Sequence, residues 1–350
     1  PERTDREWQP VPSQVIPGAP AFVAERPAKT EVETGRNLAG AAGRVMERAL
    51  IRIGVSREDM TILNVVACAS PSDSLERDLH KLKRENKRRL ARGERPRPSP
   101  VECCFPRLLH DLADARFVFT SGRIATEVLL GAAVKVSDHR GTYVEWTHPR
   151  TGEVKRVYPV HHVGQLLPGR APKWTKVFYE DIAKAFRIES EGARWPDPEV
   201  LTHPAPEVLA NWLGAHRGAI SVDVETTVED QLVAKMRCIG CGTKDSAIVI
   251  PWQSVDAGLA GRGRDAFYSR AEQEQIDHVL RAALTREEWV KTGHNSGYFD
   301  DTIIERHLGV RLDPHVDQIL VHRLVDSELP HALAFVGSYF TDVGAWKSKH

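Results

Sequence analysis

Between Ile220 and Glu225 the chain alternates strictly: Ile220, Val222 and Val224 are apolar, and Ser221, Asp223 and Glu225 between them are polar. Period two is the repeat of a β-strand, whose successive side chains leave opposite faces. One face must therefore pack on a core, while the other sets Asp223 and Glu225 side by side. Two ionised carboxylates repel, and withdrawing them from water costs several kcal/mol per ion unless a counter-charge is present. A wet edge strand answers with solvent; a covered one answers with a divalent metal.

The surrounding pattern supplies the layers that such a strand needs. From Gly35 onward helix and strand alternate: helix over 41–54, strand over 61–68, helix over 101–114, strand over 117–120, helix over 123–130, strand over 154–160, helix over 174–185. This alternation predicts a parallel sheet with helices on both faces. Residues 1–33, rich in Pro and Glu, read as an irregular arm. Residues 188–204 hold Trp195-Pro196-Asp197-Pro198 and read as a linker. Beyond it a helix over 206–213, three strands within 219–251, a helix over 271–284, a strand over 288–292 and a helix over 301–308 predict a mixed sheet flanked by helices. The expected organisation is an arm (1–33), a first α/β domain (34–187), a linker (188–204) and a second domain (205–350).

With 350 residues, 41% apolar and 27% charged, the chain is long enough for two cores and too apolar for disorder. Lys plus Arg and Asp plus Glu both number 48, so no global field favours nucleic acid, and binding must come from local patches. The one biased run is 81–97, nine basic residues against two acidic; Lys87, Arg88 and Arg89 within it are candidate DNA-backbone contacts, or part of a solvated helix. No leader-like segment and no run of eighteen apolar residues is present, so neither export nor a membrane partner is expected, and a cytoplasmic setting is. Five cysteines at irregular spacing do not make a disulfide framework. Cys238 and Cys241 have knuckle spacing, but no second pair follows to complete a zinc site.

Downstream of the paired acids lies Gly293-His294-Asn295-Ser296-Gly297-Tyr298-Phe299-Asp300-Asp301, directly after an apolar strand and before a helix. Asp223-x-Glu225 followed by His294-Asn295 and Phe299-Asp300 resembles the first two motifs of the DEDD superfamily of 3′-5′ exonucleases. Asp317 to His331, then Phe335 to Tyr339 and Trp346-Lys347, resemble the proofreading domain of phage-type family A DNA polymerases. That resemblance implies a ribonuclease H-like fold over 205–350. It also implies two Mg²⁺ or Mn²⁺ ions: Asp223 bridging both, Glu225 completing the first shell and Asp300, preferred over Asp301, holding the second. Two metals about 4 Å apart would neutralise the attacking and leaving oxygens of a phosphodiester. The family's fourth carboxylate, in a Tyr-x-x-x-Asp or His-x-x-x-x-Asp motif, has no counterpart: Tyr339–Asp342 and His322–Asp326 are each one residue too close. It is expected beyond His350, together with a polymerase domain, and this chain alone is expected to be weakly active or inactive as an exonuclease.

In the first domain Gly35-Arg36-Asn37-Leu38-Ala39-Gly40-Ala41-Ala42-Gly43, Leu63-Asn64-Val65-Val66-Ala67-Cys68, Ser121-Gly122-Arg123 and Pro159-Val160-His161-His162 resemble the uracil-DNA glycosylase superfamily, nearest its iron-sulfur class. The resemblance implies a three-layer α/β/α fold. It implies that Asn64 hydrogen-bonds a flipped uracil, that His162 stabilises the departing base or contacts phosphate, and that Gly122 and Arg123 belong to the DNA-binding surface. Pro17-Gly18 would mark the water-activating motif, which places Val15, unable to polarise water, at the acid's position. Only Cys68 and Cys104 fall where cluster ligands are expected, so a four-cysteine iron-sulfur cluster cannot be assembled. The resulting expectation is a DNA-replication protein fragment, acting on single-stranded 3′ ends or primer-template, with a glycosylase-like domain lacking glycosylase activity. The alternatives are a non-catalytic replisome module and an active uracil-repair enzyme.

Overall fold

The structure, a computed structural model, describes residues 10–69, 72, 74–194, 198–252 and 267–342. Trp346, Lys347 and positions 195–197 of the expected linker lie outside the described residues. The chain divides into two units, one holding the described residues through 194 together with 334–342, the other holding 198–333.

In the first unit β1 (Ala21–Ala24), β2 (Thr61–Asn64), β3 (Val118–Ser121), β4 (Val144–Thr147) and β5 (Val154–Val160) form one sheet in the order β2-β1-β3-β5-β4. All pairings are parallel except β4 with β5. Its helices are α1 (Lys29–Thr34), α2 (Ala41–Ile51), α3 (Leu75–Ala91), α4 (Pro100–Asp111), α5 (Arg123–Leu130), α6 (Val136–His139) and α7 (Thr175–Glu191). The pleat sorts β1 between two cores. Phe22 and Ala24 pack with Met46 and Leu50 of α2 and Phe178 and Ile182 of α7; Ala21 and Val23 pack with Leu75 of α3, Leu108 of α4 and Ala125 of α5. This is the expected α/β/α sandwich.

The irregular arm expected over 1–33 ends earlier. Ala21–Ala24 is an inner strand of the sheet, and because it is buried on both faces and only four residues long it carries no alternation to betray it. The preceding residues run along the sheet's edge, with Val11 N–H bonded to Ala67 O at 2.9 Å and Gln14 N–H to Ile62 O at 3.0 Å.

The second unit contains β6 (Glu199–Thr202), α8 (Pro206–Ala215), β7 (Gly218–Thr226), β8 (Met236–Gly242), β9 (Ser246–Pro251), α9 (Arg270–Leu284), β10 (Trp289–Gly293), α10 (Asp300–Leu308), β11 (His315–Asp317) and α11 (Gln318–Val325). The sheet order is β11-β10-β7-β8-β9-β6. A meander β7-β8-β9 with antiparallel β8, continued by parallel β10 and β11 beside β7, is the ribonuclease H-like mixed sheet. Val222 and Val224 point into a core with Ile239, Ile250, Ile276 and Ile303. The expected linker is partly regular: α7 runs to Glu191, and β6 pairs in parallel with β9.

The last described segment also differs from expectation. α12 (Leu333–Phe340) falls in the second domain expected over 205–350, yet residues 334–342 pack within the first unit. Arg140, 1% exposed at its side chain, forms a two-pronged pair with Asp181 and donates to Ser338 Oγ at 3.0 Å. Lys184 Nζ donates to Thr341 O at 2.7 Å, and Phe335 meets Trp174 edge-on at 5.8 Å.

Candidate functional sites

In a parallel sheet with helices on both faces, ligands bind where the strands' carboxyl ends open between helices. Four such ends meet in the first unit: Glu25 follows β1, Asn64 closes β2, Ser121 and Gly122 close β3, and His161 and His162 follow β5. The Glu25 carboxylate lies 3.8 Å from His162 Nε2. Burial holds the Glu25 carboxyl above the usual range, against a hydrogen bond from the Ile124 backbone and the charges of Arg123 and Arg26. Burial, then Arg170 and Arg26, pushes His162 down to about 4. At neutral pH His162 is thus an uncharged imidazole, and its approach to Glu25 is a close contact between a carboxylate and a neutral ring, not an ion pair.

Two glycines make room for that ring. A Cβ on Gly122 would sit 2.8 Å from His162 Cβ, and one on Gly164 would sit 2.9 Å from His162 Cε1. Gly122 also has φ +87°, a conformation side chains rarely adopt. Ser121 Oγ accepts from Val163 N–H at 3.2 Å and Gly122 N–H donates to Val160 O at 2.9 Å, which ties the β3 and β5 ends together.

Asn64 is buried, and its Nδ2 donates to Asn37 Oδ1 at 2.7 Å. Asn37 is held in turn by Pro12 O at 2.9 Å. Asn64 Oδ1 is buried without a hydrogen-bond partner among the described residues. Such an acceptor costs about 1–3 kcal/mol if it stays unsatisfied, so a ligand donor aimed at it is favoured.

Sequence reasoning missed Glu25. Pro17-Gly18, expected to mark the water-activating motif, and Val15, expected at the acid's position, lie ahead of β1, where Gly18 N–H bonds Asp114 O; the carboxylate beside His162 is that of Glu25, immediately after the strand. The signal was present as a short apolar run, Ala21–Ala24, ending in Glu25-Arg26-Pro27. Arg123, half exposed, is engaged by two acids: its guanidinium bonds both Glu127 oxygens and lies 2.7 Å from Glu76 Oε1. Arg89 is likewise engaged, with Glu94 at 3.0 Å and Arg95 O at 2.9 Å, while Lys87 and Arg88 are exposed.

The iron-sulfur group does not fit these residues. Cys68 and Cys104 are neighbours, and burial followed by Cys104 raises the Cys68 thiol, but Cys103 is exposed. Among the described residues no three His, Cys, Asp or Glu side chains gather as a metal-binding group.

In the second unit Asp223 and Glu225 both lie on the exposed face of β7, opposite Val222 and Val224. Asp300, the first residue of α10, is buried and accepts a hydrogen bond from Val224 N–H at 2.8 Å. Burial, reinforced by Asp223, raises its carboxyl to about 7. Asp301 turns to His315, 3.3 Å away. Asp317 accepts from Asn295, Gly297 and Ile319 N–H groups, which folds the loop ahead of α10 and caps α11. Hard oxygens at Asp223 and Asp300 suit Mg²⁺ or Mn²⁺, though Glu225 does not join them in a closed ligand group. Asp342 is occupied by Arg187 and by Arg194 N–H at 2.7 Å. Cys238 and Cys241, an odd number apart on β8, face opposite sides, and burial pushes Cys241 up to about 12.

Among solved structures the chain resembles Brucella melitensis NrnC (TM-score 0.30, 16% identity, 43% of this chain and 63% of that one). It also resembles Escherichia coli RNase D, an exoribonuclease (TM-score 0.31, 17% identity, 43% and 34%). It spans less than two thirds of either, and the ribonuclease H-like description rests on the strand order above. Similarity over the first unit is closer. The type-4 uracil-DNA glycosylase of Thermotoga maritima is 28% identical over 175 residues, 49% of this chain and 78% of the relative. That of Pyrobaculum aerophilum is 30% identical over 171 residues, 47% and 75%. The sequence profile described as the uracil DNA glycosylase superfamily matches residues 21–183, from β1 into α7. Through this first unit the chain belongs to the uracil-DNA glycosylase superfamily.

Proposed function

We propose that the first unit excises uracil from DNA. The observation that carries this reading is the pairing of Glu25 and His162, 3.8 Å apart at the carboxyl ends of β1 and β5. A uracil nucleotide turned out of its strand enters between those ends. Uracil N3–H donates to Asn64 Oδ1, whose amide is fixed in orientation by Asn37. The C1′–N1 bond breaks and its electron pair leaves with the base. His162, neutral, donates a hydrogen bond to a uracil oxygen as charge develops there. Water adds to C1′ and gives its proton to Glu25, whose raised carboxyl makes it a better base than a solvated one. The reading departs from the expectation of an inactive domain, which rested on Val15 and on the missing iron-sulfur ligands. Its test is uracil release from a single-stranded oligonucleotide: the parent chain releases base, and Glu25→Gln and His162→Ala lower the rate while the fold persists. No release by the parent chain would refute it.

A second reading concerns the other unit, favoured by the contact between Asp300 and Val224 N–H that brings Asp300 beside Asp223. We infer a two-metal 3′-5′ exonuclease, of the kind that proofreads for family A DNA polymerases in replication. Asp223 and Asp300 would hold Mg²⁺ or Mn²⁺, and Glu225, on the same face of β7 as Asp223, would have to turn toward them to complete the set. When bound, the ions supply charge neutralisation to the phosphodiester oxygens. Mn²⁺ binding followed by electron paramagnetic resonance tests this independently of activity. Loss of binding in Asp223→Asn/Asp300→Asn supports it, and equal binding by parent and variant contradicts it.

A further inference from the structure

The basic run of 81–97 is the one strong local charge concentration in a chain of zero net charge, and most of it lies on α3. At about 100° per residue, Lys83, Lys87, Arg84, Arg88 and Lys81 span about 160° of the helix circumference, an arc that Glu76, Arg77, His80 and Ala91 share. Those five lysines and arginines from Lys81 to Arg88 are exposed, and none forms an ion pair among the described residues. Arg89, Arg92 and Arg97 differ, being paired with Glu94 and Glu85. Their contacts, with the mutual hydrogen bonds of Asn86 and Arg97 at 2.8 Å, fold the exit loop back on α3 and leave its cationic arc clear.

The opposite stripe explains why the helix is fixed. Leu75 is in the core under the sheet, and Leu79 packs against it. Ser74 caps the helix by accepting from Arg77 N–H. Between α3 and the start of α4 runs an open groove of about 620 Å³, lined by Leu79, Leu82 and Leu90 and by Lys83, Arg84 and Lys87 from α3, with Glu102 as its one acid. Apolar and cationic side chains lining one groove match a polymer that is flat and apolar at its bases and anionic at its phosphates.

The position of α3 connects this surface to the pocket. Its first turn holds Glu76, which meets Arg123 at 2.7 Å, and Arg123 follows Gly122 beside His162. The helix, about 25 Å long, therefore starts close to the residues that follow β3 beside His162. We propose that α3 and its groove form a track for the single-stranded DNA that flanks the nucleotide held in the Glu25–His162 pocket, with Lys83, Arg84, Lys87 and Arg88 on successive phosphates. A bilayer is the other anionic surface that basic helices meet, but it requires an exposed apolar stripe. Here Leu75 and Leu79 pack at the core and Leu82 is half-buried, which leaves Leu90 as the one exposed leucine of α3 and no apolar stripe.

The proposal deepens the glycosylase reading, and the experiment separates the two by using DNA without uracil. Binding of the full chain to a fluorescein-labelled, uracil-free single strand is measured by anisotropy across a salt series. Each phosphate contact on single strands contributes about 0.7 to the slope of log affinity against log salt. Replacing Lys83, Arg84, Lys87 and Arg88 together by Gln should lower the slope by roughly 2 to 3 and the affinity by at least about tenfold at low salt. The pairs Lys83→Gln/Lys87→Gln and Arg84→Gln/Arg88→Gln should each give about half of that change. Arg44→Gln/Arg48→Gln, exposed on α2, is the control for lost charge and should change little. The proposal is overturned by an unchanged slope in the fourfold variant, by an equal loss in the α2 control, or by variants that keep DNA affinity and lose binding to phosphatidylserine vesicles. Uracil excision has no bearing on these outcomes.

Discussion

Gly122→Ala tests whether the His162 ring is seated by the backbone around it. Gly122 has φ 87° and ψ 177°, a region that side-chain-bearing residues occupy at about 1–3 kcal/mol. The new methyl would lie 2.8 Å from His162 Cβ and 2.9 Å from its Cδ2, where ordinary carbon contacts are about 3.5–4.0 Å. The ring cannot simply retreat, because the Gly164 backbone stands close on the far side of the imidazole. Relieving an overlap of this kind in packed surroundings costs about 1–3 kcal/mol. The total is roughly 2–6 kcal/mol, a large share of the 5–15 kcal/mol typical of a folded domain. Gly152→Ala supplies the reference, since it has φ +73° and open space around the new methyl. Hydrogen exchange at β3 and β5 amides reads the first unit without assuming that both units unfold together. Gly122→Ala should lower protection there by at least about 1 kcal/mol more than Gly152→Ala does, and it should slow uracil release. Equal protection in the two variants would refute the packing argument.

Acid should weaken the first unit through two histidines. Burial pushes both His161 and His162 down to about 4, so between about 6.5 and 4 the unfolded chain binds protons that the fold refuses, and stability falls as pH drops through that window. By pH 5 the loss is roughly 2 kcal/mol for each, less for His162 to the extent that its edge meets water. Urea midpoints at pH 7 and pH 5 should converge in His161→Gln/His162→Gln, and an unchanged gap would contradict the assignment. Arg140→Met should cost about 3–5 kcal/mol by leaving Asp181 buried without its main partner, and should release residues 334–342 to protease. Adding Asp181→Leu should restore most of the stability; a double variant as weak as the single one would show that the pair is not the cause.

Regular elements with a clear period were legible in the sequence. The helix over 123–130 and the strand over 154–160 coincide with α5 and β5, and the alternation at Ile220–Glu225 put Val222 and Val224 in the core and both acids outside. β1 was not legible because a strand buried on both faces has no polar partner to alternate with, and Glu25 went unnoticed with it. β6 hid in a proline-rich stretch that local rules read as a linker. Nor could charge counting show that Arg89 and Arg123 are taken up by Glu94, Glu76 and Glu127, since those pairings depend on how a helix ends and on which helices adjoin. Asn64 and His162 were identified from motif alone, and the structure sets them at the ends of β2 and β5, with β1 and β3 between and Glu25, after β1, 3.8 Å from His162.

Single-turnover release of uracil from a single-stranded oligonucleotide, compared between the parent chain and Glu25→Gln, addresses the central claim most directly. The parent should leave an abasic site, and Glu25→Gln, which preserves shape and removes the base, should be slower by about 10²–10⁴-fold with DNA binding intact. Release at equal rates by both would show that Glu25 is not the group that activates water.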